Sequence, residues 1–296
     1  MSKEFGLENA EQTAHLYLYL KYIDHYLTKI GKPLGLVSKP PFQEIPPDVD
    51  EMIELYARKV MRDGLSAETS TYHGKVMPLG HAEDLVMVRQ DVELRGLEHV
   101  IPFRIAHDIV LKNPQKIAVF DCPCRVLQEN PCEPLDVCMA VGDPVASFIL
   151  EYEGFRARPA SAEEAVEILR AERKRGHVHN AFFKDVTGGR FFAICNCCPC
   201  CCIGMKAWNQ FGSPMLASSG YVAAVNQECN ACGECSGICP FDAIEIEETA
   251  LVDRAKCMGC GVCEGACEYD AITLELDPAR SQPLDIKKLI SEYGGR

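Results

Sequence analysis

Residues 229–240 read CNACGECSGICP, and residues 257–268 read CMGCGVCEGACE. Each run places four cysteines in the order C-x2-C-x2-C-x3-C, and the second repeats the first at an offset of 28 residues. The match continues past the cysteines, where PFDAIEIE at 240–247 aligns with EYDAITLE at 268–275. A duplication held in this register makes chance a poor explanation. Short strands at 221–226, 244–247, 251–253 and 272–275 would complete a small fold around the two runs.

Four thiolates at this spacing suit a cubane cluster, because each of its irons takes one protein ligand. The x2 spacings let three successive cysteines wrap one cube from a turning backbone. Residues 220–276, about a fifth of the chain, resemble the bacterial ferredoxins that carry two [4Fe–4S] clusters. In that family the fourth cysteine of each run crosses to the other cluster. The resemblance therefore implies one cluster on Cys229, Cys232, Cys235 and Cys267, and another on Cys257, Cys260, Cys263 and Cys239. Gly233, Gly237, Gly259 and Gly261 would let backbone N–H groups approach the sulfurs and tune potential. One departure stands out: Pro240 follows the first run, but Glu268 occupies the matching place after the second.

Composition frames the rest. The chain has 296 residues, 47% apolar and 25% charged, which suits one large globular domain or two to three smaller ones. Its formal charge is −13, and ligated thiolates would add to it. That balance argues against nucleic-acid or anionic-membrane binding, which needs a basic face. It suits steering toward a basic patch on a redox partner. The 18 cysteines are too many for ordinary packing, and the chain is too long for a disulfide-held mini-domain. With no signal pattern at the start and no apolar run of transmembrane length, metal-bound thiols in a reducing cytoplasm are expected. So many cluster ligands also suggest anaerobic metabolism.

Upstream, apolar spacing predicts a helix over 9–30, a proline-rich loop at 38–47 and a second helix over 49–63. Short strands are expected at 76–79 and 85–88, with His73, His81 and His99 as ordinary packing or surface residues. IPFRIAHDIVLKN at 101–113 has helical spacing, and KIAVFD at 116–121 reads as a buried strand. A helix starts after Asp143 with Pro144 at its first position. Another runs from Ser161, whose capping box pairs it with Glu164, to Gly176. HVHN at 177–180 reads as a connection. RFFAI at 190–194 is a strand, 203–211 a helix, and 212–219 a glycine- and serine-rich linker. The expected fold class is α+β (or α/β), with a parallel pair formed by the strands ending at 121 and 194. Its divisions are a helical segment 1–64, a cysteine-rich domain 65–211, the linker, a ferredoxin-like domain 220–276 and a tail 277–296.

Both of those strands run straight into cysteines, CPCR at 122–125 and CNCCPCCC at 195–202. If they share a sheet in the same sense, the two loops meet at one edge. Ten thiols lie in this middle region: Cys122, Cys124, Cys132, Cys138, Cys195, Cys197, Cys198, Cys200, Cys201 and Cys202. They point to a metal or cluster, and a further [4Fe–4S] cluster held by both loops is the preferred form. Zinc is the main competitor, since a tetrahedral thiolate site uses the same donors. Adjacent cysteines diverge, so not all ten can face one cube. His177 and His179 are possible additional ligands, and Arg125 either balances cluster charge or lies on the surface. CPCR with CNCC-x-CC resembles an arrangement in incompletely characterised iron–sulfur proteins of anaerobes.

No dinucleotide, Walker A, zinc-protease or nucleophile-elbow motif is present. Three roles remain: an electron carrier or subunit docking a redox partner, with homodimerisation through the aromatic N-terminal helices open; an enzyme with an open cluster site or reactive thiols; and a redox sensor or iron–sulfur scaffold.

Overall fold

The computed structural model describes residues 7, 10–64, 72–103, 108–151 and 156–293. Its frame is an eight-stranded sheet built from β1 (Tyr72–Met77), β2 (Val92–Leu94), β3 (Ile109–Asp121), β4 (Asp136–Asp143), β5 (Ala157–Ala160), β6 (Val178–Lys184), β7 (Arg190–Cys197) and β8 (Leu216–Ala217). The strand order is β2-β3-β4-β7-β6-β1-β8, with β5 added to β3. Every pairing is antiparallel except β1 with β8. The class is therefore α+β. β3 and β7 do run in the same sense, but β4 lies between them, so they are not a parallel hydrogen-bonded pair.

Side chains alternate across a strand, and both faces of this sheet are covered. Ala118, Phe120, Ala140, Phe182 and Phe192 face one core, together with Leu16, Tyr19, Tyr26 and Ile53. These last come from α1 (Ala10–Lys21), α2 (Ile23–Gly31) and α3 (Pro47–Gly64). Ile117, Val119, Met139, Val141 and Phe183 face the other core. There they meet α4 (Leu79–Val86), through Ala82 and Leu85, and a later helix through Ala165 and Leu169. Connections are made by α5 (Pro123–Val126), α6 (Val145–Glu151), that later helix, α7 (Ala162–Lys174), and α8 (Ile203–Phe211). The cap of α7 forms as expected, with Ser161 Oγ accepting from Glu164 N at 3.1 Å.

Several elements depart from the sequence reading. The helix expected over 9–30 breaks at Tyr22 (φ −121°, ψ 44°). Beside the break, buried Asp24 accepts backbone hydrogen bonds from Phe42 and Gln43, tying the proline-rich loop to α2. The expected helix over 101–113 is replaced from Ile109 onward by strand, and residues 104–107 lie outside the described residues. Pairing of 109–111 with β2 outweighs the helical spacing, and polar KNPQK sits at a register shift. The 85–88 strand is instead the end of α4, whose Leu79, Ala82, Leu85 and Val86 share one helical face. HVHN opens the wholly buried β6, which lacks polar–apolar alternation because it is central in the sheet. The stretch expected as a linker is built into the sheet by β8 and by the buried Ser213 and Ser219.

The C-terminal unit contains β9 (Tyr221–Val225), α9 (Glu234–Ile238), β10 (Ile244–Ile246), β11 (Ala250–Val252), α10 (Val262–Ala266) and β12 (Ile272–Leu276). β9 pairs with β12, and β10 with β11. The tail then returns to the large sheet, where α11 (Ile286–Tyr293) buries Ile286 and Leu289 in the second core. No helix among the described residues is long and apolar enough to cross a membrane.

Candidate metal centres

The duplication at 28 residues is also a duplication of backbone shape. Gly233 and Gly261, both left-handed, start α9 and α10. Asp242 and Asp270 have φ of 49° and 50°. Ala243 N donates to Cys239 Sγ, and Ala271 N to Cys267 Sγ, each at 3.3 Å. Ala250 N donates to Cys229 Sγ at 3.4 Å, and Ala223 N to Cys257 Sγ at 3.5 Å. Donors aimed at sulfur stabilise thiolate character and tune a cluster's potential. Gly259 permits the closest approach, because a Cβ there would lie 2.2 Å from Tyr221 O. Pro240 is buried and its carbonyl accepts from Asn209 of α8, whereas Glu268 faces solvent. The two positions of the repeat thus differ in their surroundings, the first being packed beside α8 and the second open to solvent.

Two cavities lie in this unit. Cys229, Cys232, Cys235 and Cys267 line one, and Cys239, Cys257, Cys260 and Cys263 line the other. In each, the thiol from the opposite run completes a set of four. Burial pushes the Cys260 thiol up to about 12, so unligated it would stay neutral. The donor chemistry fits a pair of [4Fe–4S] clusters.

In the large domain, β3 and β7 deliver CPCR and CNCC to the same end of the sheet. Cys122, Cys124, Cys138, Cys195, Cys197 and Cys202 line a cavity of about 90 Å³, with Cys198 also on its wall. The first six lie beside one another around it, and their titrations are linked: Cys122 with Cys124 and Cys138, Cys138 with Cys195, and Cys202 with Cys124 and Cys197. Bonds from neighbouring thiols hold Cys122 and Cys202 well below the usual thiol range, and push Cys124, Cys138 and Cys197 above it. The opposite wall is Tyr19, Tyr26, Phe120, Phe182 and Phe192, with Lys184 Nζ 4.6 Å from the Tyr19 ring centre. Two cysteine loops around one largely apolar cavity are a donor set that fits a cluster.

The remaining thiols lie apart. Cys132, Cys198 and His177 converge, as do Cys198, Cys200 and Cys201, with ligand atoms in each group within 4.8 Å of one another. The Cys201 bond holds Cys198 down to about 6. His177 Nδ1 lies 2.6 Å from Glu172 Oε2. Arg125 is buried, which removes the surface alternative. Its Nη2 lies 2.6 Å from Glu172 and donates to Asn196 O at 3.0 Å, while Nη1 donates to Pro134 O. Although burial would raise Glu172, its bonds to His177 and Arg125 hold it below the usual carboxylate range. His179 instead bonds Asn196 Oδ1 at 2.6 Å, and burial lowers it to about 4.

His73, His81 and His99 sit elsewhere, against Phe103, Tyr221 and Tyr293. Sequence reading missed Lys184, Glu172 and Arg173. The last two look like ordinary charges in the final turn of a helix. Arg173 is largely buried, and its guanidinium reaches α10: a Cβ on Gly265 would lie 3.0 Å from Nη2. Its Nη1 has no hydrogen-bond partner among the described residues.

These features define the C-terminal region as iron–sulfur, ferredoxin-type and [4Fe–4S]-binding. Residues 250–273 match the family model described as a 4Fe-4S binding domain. No curated protein matches the chain.

Proposed function

We propose that the chain is an electron-transfer protein or subunit carrying three [4Fe–4S] clusters. Two belong to the C-terminal unit, held by Cys229, Cys232, Cys235 and Cys267 and by Cys239, Cys257, Cys260 and Cys263. The third belongs to the cavity walled by Cys122, Cys124, Cys138, Cys195, Cys197 and Cys202. Bound there, the clusters would take up and release single electrons.

The observation carrying this reading is the close seam between the two regions. Gly176 follows the last turn of α7, and a Cβ there would lie 2.9 Å from Ile238. Ile238 adjoins Cys239, while the next residue after Gly176 is His177, whose Nδ1 lies 3.1 Å from Nη2 of Arg125 in the CPCR loop. Arg173 extends the same seam to α10. A short packed route thus joins the cysteine loops, which suits a continuous wire in a reducing cytoplasm. The acidic surface favours a redox partner with a basic docking patch, and the chain is proposed to bind neither nucleic acid nor membrane.

A second reading is enzymatic. The apolar cavity beside the six thiols, with Lys184 on its wall, suits a small substrate reduced at that site. Electron paramagnetic resonance during an anaerobic redox titration separates the two. The carrier reading expects three one-electron signals insensitive to cyanide and other small ligands. A ligand-induced change confined to the signal lost with Cys122→Ser favours the enzyme.

A further inference from the structure

The ten middle-region thiols do not form one set. The six that wall the inner cavity lie beside one another around it. Cys132, Cys200 and Cys201 take no part in that wall; Cys132, Cys198 and His177 converge on one point beside it, and Cys200 and Cys201 gather separately around Cys198. We propose that Cys132, Cys198 and His177 form a mononuclear zinc site beside the cluster cavity, with Cys198 on the wall between them.

Geometry decides between one ion and a cube. Zinc–sulfur and zinc–nitrogen bonds of about 2.3 and 2.0 Å place tetrahedral S···N and S···S edges near about 3.6 and 3.8 Å. Cys132 Sγ lies 3.4 Å from His177 Nε2, and Cys198 Sγ lies within 4.8 Å of both. Thiolates on different irons of a cubane point away from a common centre and stand much further apart. The outer spacing is that of donors sharing a single ion.

The surroundings make the same distinction. A ligating histidine ordinarily gives its second ring nitrogen to a carboxylate, which fixes its orientation. Here Glu172 Oε2 sits 2.6 Å from His177 Nδ1, leaving Nε2 directed at Cys132, and Arg125 pins Glu172 in place. Cys132 N donates to Cys201 Sγ at 3.3 Å, which ties the two loops together. Cys200 and Cys201 form a second group that shares only Cys198 with the first, so neither is assigned as a ligand. Two sulfurs and one nitrogen fill three corners of a zinc tetrahedron and leave the fourth to water. The ion would pin the loop carrying Cys132 to the CNCC loop, and so hold shut one side of the cavity wall.

Zinc and iron are measured together on the full chain, purified anaerobically from medium containing both metals, with zinc X-ray absorption on the same sample. The expected result is about one zinc per chain in a shell of two sulfurs, one histidine nitrogen and one oxygen. Cys132→Ser should lose that zinc at least tenfold while iron and sulfide hold steady, and Cys200→Ser should keep it. Absence of zinc from the wild-type chain would overturn the proposal. So would a four-sulfur shell, or loss of iron and sulfide instead of zinc from Cys132→Ser. The X-ray absorption readout stands even if a variant fails to fold. The third-cluster reading fails on iron and sulfide alone, so the two outcomes are separable.

Discussion

Arg125 and Glu172 form an ion pair that is closed to solvent on both sides, with guanidinium nitrogen and carboxylate oxygen 2.6 Å apart. One residue comes from the CPCR loop and the other from the end of α7. Their pairing joins the cysteine end of the sheet to the helix that reaches the C-terminal unit. Removing one member of a buried pair strands the other charge and costs about 3–5 kcal/mol. Glu172→Gln should lower unfolding stability by that order in urea titrations. The double variant Arg125→Met, Glu172→Leu should cost clearly less, because it leaves no buried charge unpaired.

Arg173 places a cation against the loop that carries Cys260 and Cys263. Its field favours the more negative, reduced form of a cluster held there. Arg173→Gln is expected to lower that cluster's reduction potential, on the order of 50–100 mV at an effective dielectric near 20. The other ferredoxin-type cluster should shift much less. A redox titration followed by electron paramagnetic resonance resolves the two, and equal shifts would remove the assigned role.

Gly259 has φ of +62° and no room for a Cβ beside Tyr221 O. Gly259→Ala should cost at least about 1–3 kcal/mol from backbone strain alone. The β9 strand would be pushed away from the Cys257–Cys263 loop, with loss of one cluster signal. At Gly237 a Cβ meets nothing within 4 Å, so Gly237→Ala should change stability by less than about 1 kcal/mol. Cluster content and thermal unfolding of the two variants provide the comparison.

Lys75 is wholly buried in β1, where it donates to Ser281 Oγ at 2.9 Å, and burial lowers its pKa to about 7. In the unfolded chain lysine titrates near about 10.4. Between these values the unfolded state binds the extra proton, so this residue makes stability rise with pH across that window. The penalty is complete below about pH 7 and gone above about 10.4. At about 1.4 kcal/mol per unit, the rise is on the order of 5 kcal/mol. Lys75→Met should flatten the slope between pH 7 and 9.5 in chemical unfolding. An unchanged slope would mean that Lys75 is not the titrating group.

The C-terminal unit was legible because ligand spacing is itself the chemistry: cysteines at fixed offsets leave few backbone paths. α7 and α8 were legible for local reasons, a cap and a stop. The stretch 109–113 was not, since its apolar spacing fits a helix and only pairing with β2 and β4 makes it strand, whereas 116–121 reads as strand from its apolar run. β6 was hidden by its central position, where His179 and Asn180 are buried polar residues without the alternation that marks a half-exposed strand. The meeting of the CPCR and CNCC loops followed from two strands of like sense. Their division into an inner six and an outer group did not, because which way adjacent cysteines point depends on β4 and α7.

Iron and acid-labile sulfide per chain, measured on anaerobically purified full-length protein, bear on the three-cluster wire itself. About twelve of each are expected, four for every cluster. About eight of each, with the C-terminal signals intact, would contradict a cluster in the cavity between CPCR and CNCC.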